Sequence, residues 1–108
     1  MKYLKFIRNV EFRPEEILMF ESDINYSNIW LINGRKVIVA KTLKQISEIV
    51  KDAPFVRVNR QTVLNINHIQ KYTEVGVAHL SNGLKISFSR RRAPLAKIQI
   101  NQYLSNQF

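Results

Sequence analysis

The sequence predicts a mostly β domain with one or two short helices, and three features carry that prediction. Two Asn-Gly dipeptides, Asn33-Gly34 and Asn82-Gly83, each stand between runs of β-branched and apolar residues. Asn-Gly accepts the positive φ angles of a type I′ turn, so each flanking pair of runs reads as a hairpin. The other apolar runs are short and bounded by polar turn residues, and only two stretches carry helical spacing. Many short strands with little helix suggest a barrel, a sandwich or a stack of small sheets, and periodicity does not choose among them.

In chain order, Tyr3 to Ile7 and Glu16 to Glu21 are the first strands. Asp23-Ile24-Asn25-Tyr26-Ser27-Asn28 follows as a loop, an aromatic among small residues suited to turn hydrogen bonding. The first hairpin pairs Ile29-Trp30-Leu31-Ile32 with Lys36-Val37-Ile38-Val39. Thr42 to Lys51 is the clearest helix: Thr42 and Gln45 make a capping box, Leu43, Ile46, Ile49 and Val50 form one stripe, and Pro54 lies beyond the end. Phe55 to Val58 is a strand whose alternation puts Phe55 and Arg57 on one face and Val56 and Val58 on the other, with Asn59, Arg60 and Gln61 as the loop that follows. Ile66 to Tyr72 is a strand interrupted by polar residues, and the second hairpin pairs Val77-Ala78-His79-Leu80 with Leu84-Lys85-Ile86-Ser87-Phe88. A last helix runs from about Ala93 to Leu104, with Pro94 in its first turn, where the missing N–H is harmless. The remaining residues read as turn or loop. Leu31, Asn33, Gly34 and Lys36 recur forty-nine residues later as Leu80, Asn82, Gly83 and Lys85, which two similar hairpins explain without a duplication.

A chain of 108 residues, 45% hydrophobic, is one domain's worth and apolar enough to bury a core. Without Cys it can build neither a disulfide framework nor a Cys-based zinc site, which fits a reducing cytosol. No apolar span of roughly 18 residues is present, so membrane insertion is not expected and the chain reads as soluble and cytoplasmic. The net charge of +9 is uneven: residues 1–52 hold nine basic and seven acidic residues, whereas residues 53–108 hold eight basic residues against Glu74 alone. A lopsided basic surface attracts polyanions, nucleic acid foremost.

Catalysis has little support. The acids Glu11, Glu15, Glu16, Glu21 and Asp23 crowd the N-terminal quarter without the spacing of an acid–base pair, and His68 and His79 lack metal-ligand spacing. No phosphate-binding glycine loop or nucleophile elbow occurs, so neither cofactor nor metal is expected and the chain reads as a non-enzyme. The cations are better organised. Arg90, Arg91 and Arg92 stand just before the last helix, where its dipole repels them, so helix stability does not account for the run. A phosphate or a base edge would offset that repulsion, since guanidinium matches both. Asn59, Arg60 and Gln61 are the side-chain types that read purine edges in a major groove. Two other classes remain open at this point: a basic module docking an acidic protein or a membrane surface, and an RNA-binding domain that stacks bases on exposed aromatics.

The stretches FVRVNRQTVLNINHIQKY and VAHLSNGLKISFSRRRAPLAKI, preceded by EEILMFESDINYSNIWLINGRKVIVAKTLKQISEIV, closely resemble the LytTR DNA-binding domain of bacterial response regulators. The match runs over roughly residues 14 to 104 and rests on an ordered set of motifs: Phe-x-Arg, a polar loop, His-Ile, the Asn-Gly hairpin and Ser-Arg-Arg before the final helix. The resemblance implies an elongated, antiparallel β fold of small sheets with one short helix and a C-terminal helix, and a transcription regulator that binds duplex DNA through loops in successive major grooves. It implies base-reading positions at Ser27 or Asn28, at Arg60 and at Arg90, with Asn59, Gln61, Arg91 and Arg92 beside them; Arg57, on the strand before, is a further candidate phosphate contact on this reading of the residues. The expected mode of binding is two protomers, a homodimer on DNA, at repeated half-sites. Many family members carry His or Lys in the first loop, where this chain has Asn25-Tyr26-Ser27-Asn28. Members are commonly fused behind a receiver domain. The expectation here is a single domain over residues 1–108 that starts naturally at Met1, has no receiver and is controlled by a partner protein or its own concentration.

Overall fold

The computed structural model describes residues 3–8 and 10–106. Its strands are β1 (Leu4–Ile7), β2 (Val10–Phe12), β3 (Ile17–Asp23), β4 (Tyr26–Leu31), β5 (Lys36–Val39), β6 (Phe55–Asn59), β7 (Thr62–Asn65), β8 (Ile69–Tyr72), β9 (Val77–Leu80) and β10 (Lys85–Ser87). Two helices accompany them, α1 (Leu43–Ile49) and α2 (Ala93–Ser105), with single 3-10 turns at Pro14–Glu16 and Ile66–His68. Every pairing is antiparallel, in a two-stranded sheet β1-β2, a three-stranded sheet β10-β9-β8 and a five-stranded sheet ordered β5-β4-β3-β7-β6. The mostly β class and the small antiparallel sheets expected from the sequence are therefore present. The expected elongation is modest, with extents of 39 × 33 × 25 Å.

The five-stranded sheet is the middle layer, and both of its faces are covered. One face packs Ile17, Phe20, Ile29 and Val63 against α1 and the β1-β2 hairpin, where Phe6 lies 5.2 Å from Phe20 and 6.0 Å from Phe12 between ring centroids. The opposite face packs Leu18, Met19, Val56, Val58 and Leu64 against the three-stranded sheet and α2 through Ala78, Leu80, Phe88, Ala96 and Ile100. Four consecutive apolar residues, Ile17 to Phe20, are thus buried together because each side of β3 has a cover. β7 has the same cause. All four of its residues are buried, so it shows no alternation, and a segment expected to be turn or loop is an interior strand between β3 and β6. Asn65 ends it with no exposed surface, donating to the carbonyls of Pro14 at 3.0 Å and Ile17 at 2.8 Å and accepting from the Asn67 N–H at 2.9 Å.

The hairpins form with a different turn from the one expected. A type I′ turn needs positive φ at both central residues, yet only the glycines have it, at 89° for Gly34 and 92° for Gly83. The Gly34 N–H donates to the Leu31 carbonyl at 3.0 Å and the Leu31 N–H to the Arg35 carbonyl at 2.9 Å, which is a three-residue loop closed by a glycine bulge. Gly83 repeats the pattern with Leu80 and Leu84, and the Asn33 and Asn82 side chains accept from the N–H two residues on. Ile32 consequently leaves the strand and is exposed. α1 begins as read: the Thr42 hydroxyl accepts from the Gln45 N–H at 3.2 Å, and the Gln45 side chain accepts from the Thr42 N–H at 2.9 Å. Leu43, Ile46 and Val50 bury the stripe, while Ile49 lies at its exposed edge.

Candidate nucleic-acid interface

Three connections meet at one end of the five-stranded sheet: the two-residue β3–β4 turn Ile24-Asn25, the β6–β7 turn Arg60-Gln61, and residues 89–92 before α2. Antiparallel pairing of Glu21 with Thr62 sets the first two side by side, and the Ser22 N–H donates to the Gln61 carbonyl at 2.8 Å. The third is drawn in by the Ser89 N–H, which donates to the Val58 carbonyl at 2.8 Å. Ser22, Ile24, Asn59, Arg60, Gln61 and Ser89 accordingly line one shallow groove.

Within this end the polar side chains divide into those that hold the loops and those that do not. Asn59 accepts from the Gln61 N–H at 2.8 Å and donates to the Ser87 carbonyl at 2.8 Å, so one side chain shapes its own turn and ties it to β10. Arg57 folds along β6 and donates to the carbonyls of Asn59 at 3.3 Å and Arg60 at 2.9 Å. The Ser89 hydroxyl accepts from the Arg92 N–H at 3.2 Å, capping the turn that leads into α2. Arg60, Gln61, Arg90 and Arg91 are exposed, and among the described residues none of their side chains makes a hydrogen bond or ion pair.

Ser27 and Asn28 sit in β4 rather than in a loop. Ser27 has no exposed surface and donates its hydroxyl proton to the Lys41 carbonyl at 2.6 Å, while Asn28 is 6% exposed and donates to Glu21 at 3.4 Å. The exposed residues of that connection are Asp23 to Tyr26, and Ile24 stands out at 93% exposure with φ at 53°. A β-branched residue rarely adopts positive φ, so this apolar tip is held in a strained conformation. Nothing in the sequence marks Ile24 out. Asn59 two residues before Gln61 is a turn pattern that composition does show, although its bond to β10 is not.

The electrostatics are one-sided. Burial lowers the pKa of Arg57 from its ordinary value, and the charges of Arg92, Arg60 and Arg91 lower it further. Such a shift means that the fold opposes the charge and that an anion in the vicinity would relieve it. Phe6, Phe12, Phe20 and Phe88 cannot serve as a stacking platform, because they are buried in the two cores.

The sequence profile of the LytTr DNA-binding domain matches residues 8–101. The chain belongs to that family. As a LytTr domain it is a DNA-binding domain of the kind found in transcription regulators, a family defined by binding and not by catalysis. The resemblance noted over about residues 14 to 104 is thus present, with bounds that begin earlier, at residue 8, and end earlier, at residue 101. Among solved structures, the LytTr DNA-binding domain of a methyl-accepting/DNA response regulator from Bacillus cereus superposes with a TM-score of 0.73 over 92% of this chain and 94% of that one. The two are 18% identical, so what they share is the fold. No curated protein gives a match. Among the described residues, no helix of this LytTr domain is long and apolar enough to cross a membrane.

Proposed function

We propose that this LytTr domain is a transcription regulator that reads a specific duplex sequence in the major groove through its three adjoining turns. The observation that carries the reading is the division of labour at that end: Arg57, Asn59 and Ser89 are spent on loop geometry, which leaves the side chains of Arg60, Gln61 and Arg90 uncommitted on hydrogen-bonded turns. Arg60 and Arg90 pair with guanine, Gln61 serves adenine or a phosphate, and Arg91 and Arg92 contact the backbone. Arg57 spends two of its donors on the turn and offers the rest to a phosphate. In the first loop the base contact passes from Ser27 and Asn28, which act as supports, to Ile24, whose exposed side chain suits a thymine methyl group.

Two protomers on repeated half-sites bend the duplex between contacts, at a deformation cost on the order of 1 to 6 kcal/mol that favours flexible steps in the uncontacted segment. Selection of binding sites from random duplex DNA tests the reading. Enrichment of a repeated motif with guanines at fixed positions is the expected result. A pool that stays random would reduce the domain to a general polyanion binder.

A further inference from the structure

A cleft of about 390 Å³ lies between α1 and α2, sharing no lining residue with the groove of the three turns although Arg91 and Arg92 of the connection before α2 line it. Its volume falls in the range of small-molecule sites, on the order of 300 to 1,000 Å³. Ser47 of α1 and Val50 at its C-terminal cap form one wall, Leu95 and Ala96 of α2 the other, and Phe55 and Val63 the sheet side. Arg57, Arg91 and Arg92 line it with no carboxylate among the lining residues. Lys51 at its edge is occupied, since its ammonium donates to Glu48 at 2.9 Å. The cleft therefore combines apolar side chains with guanidinium groups that no carboxylate of its lining neutralises.

One further observation points to an occupant: Leu95, at the cleft, presents an apolar side chain that is 60% exposed. A DNA phosphate would satisfy the guanidinium groups and leave the apolar walls unused. We propose that this cleft binds a small amphipathic organic anion, its carboxylate or sulfate head on Arg57, Arg91 and Arg92 and its hydrocarbon body on Val50, Phe55 and Leu95. Because Arg57 also props the Asn59-Arg60 turn, such a ligand would act on a guanidinium that the DNA-facing loop depends on.

The test is an amide NMR titration of the full chain without DNA, so its outcome is independent of the DNA reading. The probes are 4-phenylbutyrate, its neutral amide 4-phenylbutanamide, and inorganic phosphate. Saturable shifts at Ser47, Val63 and Ala96 are expected with phenylbutyrate, at concentrations lower by about tenfold or more than either partial probe requires. An equal response to phosphate, or shifts spread over outlying basic residues such as Lys71 and Lys85, would overturn the proposal. Leu95→Glu, at an exposed position and checked for an unchanged spectrum elsewhere, places a like charge at the cleft and should weaken phenylbutyrate by about tenfold or more. Undiminished binding by that variant would equally refute the site.

Discussion

Arg57 and Arg60 carry the same side chain three residues apart and do different work. Strand alternation was enough to set Arg57 beside the core and Arg60 in the turn, but not to show that Arg57 reaches forward to two carbonyls, because those carbonyls turn toward it only once the β6–β7 turn closes. The consequence is measurable. Arg60→Ala and Arg90→Ala should each cost about 1 to 3 kcal/mol on the selected site and far less on random duplex, the mark of a lost base contact. Arg57→Ala should weaken both duplexes, since it removes a backbone contact, with a further loss on the selected site because it loosens the turn that carries Arg60. Fluorescence anisotropy with the two duplexes separates these outcomes. Ile24 offers a second comparison: its exposed side chain packs little, and Asn tolerates positive φ better than a β-branched residue does. Ile24→Asn should therefore raise stability by about 1 kcal/mol while weakening the cognate complex, as read by urea denaturation and by anisotropy.

Local chemistry decided some elements outright. The Thr42–Gln45 box starts α1 because both halves of the motif lie within four residues of each other, and Thr42→Ala should cost about 1 kcal/mol in denaturant unfolding. The Asn-Gly pairs specified two hairpins but not their turn type, since one dipeptide serves either a two-residue loop or a bulged three-residue loop, and strand register selects between them. Glycine substitutions sort by the same logic. Gly83 has φ at 92° and open space around its Cβ position, so Gly83→Ala should cost about 1 to 2 kcal/mol from the backbone alone. Gly76 has φ at 85° and would set its Cβ 3.3 Å from that of Phe88, so Gly76→Ala should cost visibly more. Equal midpoints for the two variants in urea would count against that crowding.

For the whole molecule, the shared middle sheet is what joins the parts. Adjacent residues Val63 and Leu64 of β7 enter opposite cores, so neither cover can detach without exposing its side of the same strand. Leu64→Ala should lower stability by about 2 to 5 kcal/mol and shift one common transition, whether followed by backbone circular dichroism or by Trp30 fluorescence. Two separated transitions would show that the cores unfold independently. The charge asymmetry belongs to this scale as well: contact with six phosphates would give a log-log salt slope of roughly −5, and a nearly flat slope would remove the electrostatic part of the binding argument.

By itself the sequence determined the mostly β class, both Asn-Gly hairpins, the capped helix and the Arg60 and Arg90 turns, because each rests on interactions between residues near in the chain or on an ordered set of motifs. Tertiary structure alone decided that residues 62–65 form an interior strand, that Ser27 and Asn28 are buried, and that Ile24, Arg60 and Ser89 share one groove. The physical reason is the same in each case. A strand covered on both faces loses its alternation, and a loop's neighbours are set by sheet pairing between segments far apart in sequence, which no local pattern records.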